Sequence, residues 1–231
     1  PPRSTLFPYT TLFHLRTYIT GQDRTDLAAQ LMMSTAVPVK YGDTDAYYSP
    51  RQQGAGLANI AAAEKTDVYL TVDSAHEKRP KAELGESVAG TWSFDVTLHN
   101  VGASPQSYTP DTAALSDKIA DGKFAQVPVN YTGKGIDVAY AGDYDAAART
   151  ITVNPGSTAK LTVTITCEQA FKDAVATAVN GTFVDGFTFL ESTGDAPRLS
   201  VPFLGFYGTW SQAPVFDSIL NSGDAAMYAT R

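Results

Sequence analysis

The sequence predicts a mainly β protein, a sandwich of short strands preceded by a short helical segment. Three observations carry that reading. Near the N-terminus, Leu27, Ala28, Leu31 and Met32 recur at helical spacing. From Asp67 the period changes to two, with Val68, Leu70 and Val72 alternating with Tyr69 and Thr71. Turn-forming clusters such as Asn100-Val101-Gly102 and Asn154-Pro155-Gly156 then punctuate the chain at short intervals. Alternation sends side chains to opposite faces of a strand, and many short strands with regular turns favour a sandwich.

The helix follows Gly21. Asp23 or Thr25 can cap it, and Pro38 ends it. Ser34 and Thr35 at its close are expected to bond backbone rather than react. Residues 39–48 read as a polar, turn-like stretch. Asp43 and Asp45 stand two apart, as at the start of a calcium loop, but the remaining ligand pattern is missing. The stretch Ser49-Pro50-Arg51-Gln52-Gln53-Gly54-Ala55-Gly56-Leu57 comes next. Pro50 fixes φ and pushes Ser49 towards an extended conformation, while Gly54 and Gly56 permit positive φ or close backbone approach. From composition alone it is a turn before a helix.

Ala89–Val101 is the clearest strand, with Trp92, Phe94, Val96 and Leu98 on one face and Thr91, Ser93, Asp95, Thr97 and His99 on the other. Further short strands are expected at Ser107–Thr109, Ala125–Val129, Ile136–Ala139, Thr150–Val153 and Lys160–Thr166. Ala170, Phe171, Ala174 and Val175 interrupt them at helical spacing. Phe183–Leu190 and Arg198–Phe206 return to strand.

The totals bound the function. The chain has 231 residues, 43% hydrophobic and 18% charged, which suits one large or two small folded domains. A formal net charge of −7 argues against nucleic acid as a partner, because phosphate binding needs clustered Lys and Arg. Cys167 is the only cysteine, so no intrachain disulfide is expected. No apolar run reaches the length of a membrane span, no membrane contact is expected from this chain, and the N-terminal residues do not have the pattern of a signal peptide.

Catalytic constellations are not found. His14 lies beside an irregular stretch, His76 beside Glu77 and Lys78, and His99 on the polar face of a strand; each is expected to be a solvated imidazole. Cys167, next to Glu168, is expected to be a buried or half-buried strand-end residue with a raised pKa. Three His and one Cys have no zinc spacing, so no metal and no cofactor are expected. Asn130-Tyr131-Thr132 and Asn180-Gly181-Thr182 match a glycosylation sequon, a short pattern that on its own assigns no function.

Three motifs, in order, resemble the cell-envelope subtilisin-like serine proteases of Gram-positive bacteria, of the lactocepin-like and streptococcal complement-cleaving peptidase type. Leu31-Met32-Met33-Ser34-Thr35-Ala36 resembles the family's Leu-Met-Asn-Thr-Ala helix end. Ser49–Gly56 resembles a Ser-Pro-Arg-Arg-Gln-Gly-Ala-Gly loop, with Gln52 where a second Arg is common. Val201–Trp210 resembles a Val-Pro-Phe-x-Gly-Phe-x-Gly-Asp-Trp segment, with Thr209 in place of Asp. The resemblance covers roughly residues 14–218. It implies the end of a protease domain at 14–63, a fibronectin type III-like β-sandwich at 64–208, and the start of a linker at 209–231. Residues 1–13 fit nothing in the pattern and are expected to be disordered.

The activity so implied is serine endopeptidase, but the family's Gly-Thr-Ser-Met-Ala, Asp-Gly and His-Gly-Thr segments do not occur in these 231 residues. The implied role is therefore non-catalytic. The sandwich would brace and position a protease domain, its own catalytic domain would be the partner, and a protein or peptide substrate a further one. The implied location is secreted or cell-wall associated. The alternative is a free-standing binding or adhesion module, which the sandwich alone explains equally well. Under the first reading the Leu27/Leu31/Met32 face lacks its normal partner, unless the sandwich or another chain covers it. Arg51, Gly54 and Gly56 are then the expected domain joint, with Arg51 offering a rigid fork of donors.

Overall fold

The computed structural model describes residues 24–75, 78–120 and 123–211. Expectations for residues 1–13, His14, Asp23, His76 and 212–231 lie outside those residues. Helix α1 spans Arg24–Ser34, so Thr25 lies inside it rather than capping it. Two short helices follow, α2 at Pro50–Gln53 and α3 at Ile60–Lys65.

Strands then build two sheets. The first takes β1 (Val68–Thr71), β3 (Thr91–Asn100), β9 (Thr158–Cys167) and β6 (Ile136–Gly142), in the order β1-β3-β9-β6. The second has seven strands. Its order is β2 (Ala82–Ser87), β11 (Leu199–Tyr207), β10 (Thr182–Ser192), β4 (Gln106–Ala120), β8 (Thr150–Val153) and β7 (Tyr144–Asp145), and β5 (Lys123–Asn130) also pairs with β4. Every ladder is antiparallel except β2 on β11. Helix α4, Gln169–Ala174, buries Phe171 and lies between β9 and β10 in sequence.

The alternation in β3 is realised. Trp92, Phe94, Val96 and Leu98 are buried in the main core with Leu161, Val163 and Ile165 of β9 and Val201 and Phe203 of β11. Apolar surface removed from water between the sheets is the dominant stabilising term. Asn154-Pro155-Gly156 turns β8 into β9, as its sequence predicts.

Four further expectations need correction. β4 is 15 residues long, not a three-residue strand. Residues 112–116 of β4 are all buried, and so are 184–190 of β10, so neither strand alternates. The cause is the stretch read as a polar turn. Ala46 is buried, and Tyr47 packs with ring centroids 5.9 Å from Phe187 and 5.3 Å from Phe189, closing the outer face of the second sheet. Around α4, Phe171 within the helix and Val175 just after it carry the burial, while Ala170 and Ala174 are exposed.

The fourth correction concerns His99, which is half-buried rather than solvated. Its ring stacks flat on Tyr69, centroids 4.7 Å apart, and Thr71 Oγ1 lies 2.9 Å from Nε2. Leu27 and Leu31 of α1 bury against Tyr69 and Ala63, with Met32 and Val101 packed around them. The sandwich therefore covers the helix face that needed a partner. Ser34 Oγ fixes the contact. It donates to the Gln30 carbonyl at 2.6 Å and accepts from the Leu70 N–H at 2.9 Å.

Candidate functional site

The loop 49–57 forms a compact knot. Ser49 caps α2, its hydroxyl accepting from the Arg51 N–H at 3.1 Å, and Pro50 occupies the first helical turn. Gly54 ends α2 at φ +63, its N–H donating to the Pro50 carbonyl. Gly56, at φ +113, meets the chain at Val37 so closely that a Cβ would lie 2.5 Å from the Val37 carbonyl carbon. That approach lets Val37 and Leu57 exchange two backbone hydrogen bonds, of 2.8 and 2.9 Å. Gln53 ties the loop to its own upstream chain, its Oε1 accepting from Val39 N–H at 2.8 Å and its Nε2 donating to the Tyr48 carbonyl.

The loop holds the second sheet through Arg51. Arg51 Nε donates to Asp185 Oδ2 at 2.7 Å and Nη2 donates to Asp117 Oδ2 at 2.9 Å. Asp185 lies on β10 and Asp117 on the neighbouring strand β4. The Ser49 hydroxyl donates to the same Asp185 oxygen and accepts from Arg51 Nε at 3.0 Å. The guanidinium carbon also sits 4.4 Å from the ring centroid of Phe183. One cation is thus held by two carboxylates, a hydroxyl and an aromatic face.

Burial divides the partners. The Asp185 side chain is 1% exposed and that of Arg51 is 29% exposed. Burial pushes the Asp185 carboxyl above its usual range, against the bonds from Ser49 and Arg51, and the nearby Asp117 adds to the rise. On Arg51 burial opposes the charge, but Asp185 and Asp117 outweigh it and hold the guanidinium more firmly protonated than usual. Asp185 Oδ1 is buried and has no hydrogen-bond partner within the protein.

The sequence expectation named Arg51, Gly54 and Gly56, and the structure places all three in this loop. It did not name Ser49, Asp117, Phe183 or Asp185. A signal for Asp185 was present: a single carboxylate inside the apolar run Phe183–Leu190 needs a partner if that strand is buried. Arg51 reaches β10 and β4, and Ser34 makes the contact between α1 and β1.

Other residues offer little chemistry. Cys167 is buried at the end of β9, its thiol pushed up to about 12 by burial, with Lys172 acting weakly the other way. The sequence reading had put the rise down to Glu168. Asp45 pairs with Lys134 at 2.7 Å. Among the described residues no cluster of His, Cys, Asp and Glu could hold a metal ion.

Residues 82–204 match the family of Fn3-like domains. The chain belongs to that family. It is also similar to the C5a peptidase of Streptococcus pyogenes serotype M6, with 30% identity over 206 residues, covering 87% of this chain and 16% of that protein. The PI-type proteinase of Lactococcus lactis subsp. cremoris is 26% identical over 204 residues, covering 86% of this chain and 10% of the proteinase. The chain therefore corresponds to a small part of these relatives, and similarity groups it with a segment of protease-family proteins that carries an Fn3-like domain. Among solved structures, PapD-like domain 7 of human CEP192 is a distant likeness, with TM-score 0.41 and 8% identity over 63% of this chain and 87% of that one.

Proposed function

We propose that this chain is a non-catalytic portion of a secreted, cell-wall-associated subtilisin-like serine endopeptidase. Its sandwich braces and positions the protease domain, and residues 14–63 belong to the end of that domain. The observation that carries the reading is the grip on Arg51. A residue of the loop that precedes the sandwich is held by carboxylates on two adjacent strands of the sandwich, so the two parts cannot turn freely about each other. The similarity to streptococcal and lactococcal proteases supports both the parentage and the location at the surface of a Gram-positive cell.

The test is made in the longer polypeptide that the proposal requires, with this chain following a subtilisin-like domain. Arg51→Ala should lower the melting temperature of the protease domain. An unchanged transition would reject the bracing role. A coding sequence with no Gly-Thr-Ser-Met-Ala-type segment upstream of residue 14 would reject the parentage and favour a free-standing binding module. The chain alone, treated with casein and with a fluorescent serine-hydrolase probe, should give background signal, and labelling of one serine that disappears on denaturation would overturn the non-catalytic assignment.

A further inference from the structure

The loop that precedes the sandwich and the chain that leaves it meet at one point. Arg51, on the incoming loop, lies over one face of Phe183. Phe183 is the cross-strand partner of Phe206, their ring centroids 5.3 Å apart and nearly perpendicular. Trp210, just beyond the last strand, stacks on Phe206 at 4.0 Å with ring planes 17° apart and also lies 5.7 Å from Phe183. The four side chains form a continuous stack from incoming loop to outgoing chain. Gly181 and Gly208 make it possible: a Cβ on Gly181 would lie 2.7 Å from Phe206 Cζ, and one on Gly208 would lie 3.1 Å from Gly181 Cα. The Trp210 N–H also donates to Glu86 on β2, which fixes the backbone but leaves the indole to be held by rings.

Trp210 is 55% exposed, so burial alone does not explain its place. We infer that the Arg51–Phe183–Phe206–Trp210 stack couples the incoming loop to the outgoing chain and holds the two as one rigid corner. A chain that left the sandwich through a free joint would not need its tryptophan seated on a ring that packs against the one Arg51 covers. In a longer polypeptide the corner sets the direction in which the chain continues relative to whatever precedes Arg51. The inference concerns contacts within this chain and stands whether or not the loop braces a protease domain.

The experiment uses the 231-residue chain, which has two tryptophans. Trp92 is buried, so acrylamide quenching reports mainly on Trp210. Arg51→Ala frees one face of Phe183 and should raise the quenching constant by about twofold or more, on the scale of losing one cation–π contact. Phe183→Leu, which keeps an apolar side chain but removes the ring face, should do the same. The reverse reading uses Trp210→Ala, for which amide exchange at Gln52, Gln53 and Gly54 should accelerate by about threefold or more. Unchanged quenching in a folded Arg51→Ala protein overturns the coupling, since Phe206 and Glu86 would then hold Trp210 without help from Arg51. If Arg51→Ala does not fold, Phe183→Leu and the exchange measurement decide by the same outcomes.

Discussion

Arg51 Nε and Asp185 Oδ2 lie 2.7 Å apart across 134 positions of sequence, and they differ sharply in exposure. A buried carboxylate without its counter-ion is costly, while a guanidinium at the surface can turn to water. The two ends of this ion pair are therefore not equivalent.

The first prediction follows from that asymmetry. Arg51→Ala strands a buried carboxylate and should cost about 3–5 kcal/mol of unfolding free energy. Asp185→Asn removes the charge, keeps the shape and leaves Arg51 with Asp117, so it should cost only about 1–3 kcal/mol. The double variant Arg51→Ala/Asp185→Asn should be more stable than Arg51→Ala alone. The pH dependence has a defined sign. The folded carboxyl is raised above its ordinary value of 3.8, so its favourable contribution is complete below that value and is lost as pH rises through the raised one. Removing Arg51 raises it further, so the Arg51→Ala defect should shrink on going from about pH 7.5 to about pH 4.5. Urea midpoints at the two pH values measure this, and a defect that grows in acid would contradict the burial of Asp185.

How much of this was legible in the sequence depends on which faces are covered. β3 alternates because one of its faces meets the core and the other does not, so Trp92, Phe94, Val96 and Leu98 could be assigned by period alone. β4 and β10 are covered on both faces, by the opposing sheet and by Ala46 and Tyr47, so their period vanished and β4 was read as three residues instead of 15. His99 was misread for a related reason. It lies on the polar face of β3, but Tyr69 of the neighbouring strand β1 stacks flat on its ring, and Leu27 and Leu31 of α1 pack with Tyr69 in turn; a period within β3 cannot show a cover supplied by another strand. Arg51 was legible from its motif, but its partners were not, because Asp117 and Asp185 come together only when β4 and β10 pair.

The second prediction concerns Trp92. It is 6% exposed, packs against Gly205, where a Cβ would lie 3.1 Å from the indole, and leaves its N–H without a partner within the protein. Trp92→Ala should cost about 3–5 kcal/mol through lost burial and the cavity left behind. Trp92→Phe deletes the unpaired N–H along with part of the volume and should cost clearly less. Equal losses by thermal denaturation would show that the N–H is satisfied in solution.

The third concerns His99 and acid. Burial holds its pKa below the ordinary 6.5; the nearby Asp73 opposes that shift and Lys78 reinforces it. A histidine with a depressed folded pKa contributes stability that is complete above about 6.5 and is lost as pH falls through the lower folded value. Between those values the wild type should lose stability relative to His99→Gln, and the difference between the two melting curves should flatten above neutrality. A difference that does not vary with pH would mean that His99 is as free to protonate in the folded state as in the unfolded one.

The fourth concerns the joint between α1 and β1. Ser34→Ala leaves the Leu70 N–H buried with no acceptor and should cost about 1–3 kcal/mol. Exchange should accelerate first at Leu70 and through 27–34, while β9 stays protected. Uniform acceleration across both sheets would show that α1 is part of one cooperative unit with the sandwich rather than docked upon it.

The last prediction compares two glycines with positive φ. Gly186 sits in β10 at φ +150, between β4 and β11, and a Cβ there would lie 1.9 Å from the Ala113 carbonyl oxygen and 3.1 Å from Phe203 Cζ. Neither neighbour can yield cheaply. Ala113 belongs to the strand paired with β10, and Phe203 is 1% exposed in the main core. Gly186→Ala should therefore cost more than about 4 kcal/mol, among the largest effects of a single substitution, or abolish folding. Gly54, at φ +63 and ψ −128, would place a Cβ in open space, so Gly54→Ala should cost only the backbone strain, about 1–3 kcal/mol. The two variants also separate strand pairing from the joint. Asp185 precedes Gly186, so forcing β10 away from β4 also pulls Asp185 from Arg51, whereas Gly54→Ala strains the loop and leaves both carboxylates in place. Soluble yield and the urea midpoint measure the contrast, and a Gly186→Ala protein as stable as Gly54→Ala would mean that β10 does not approach β4 as closely as described.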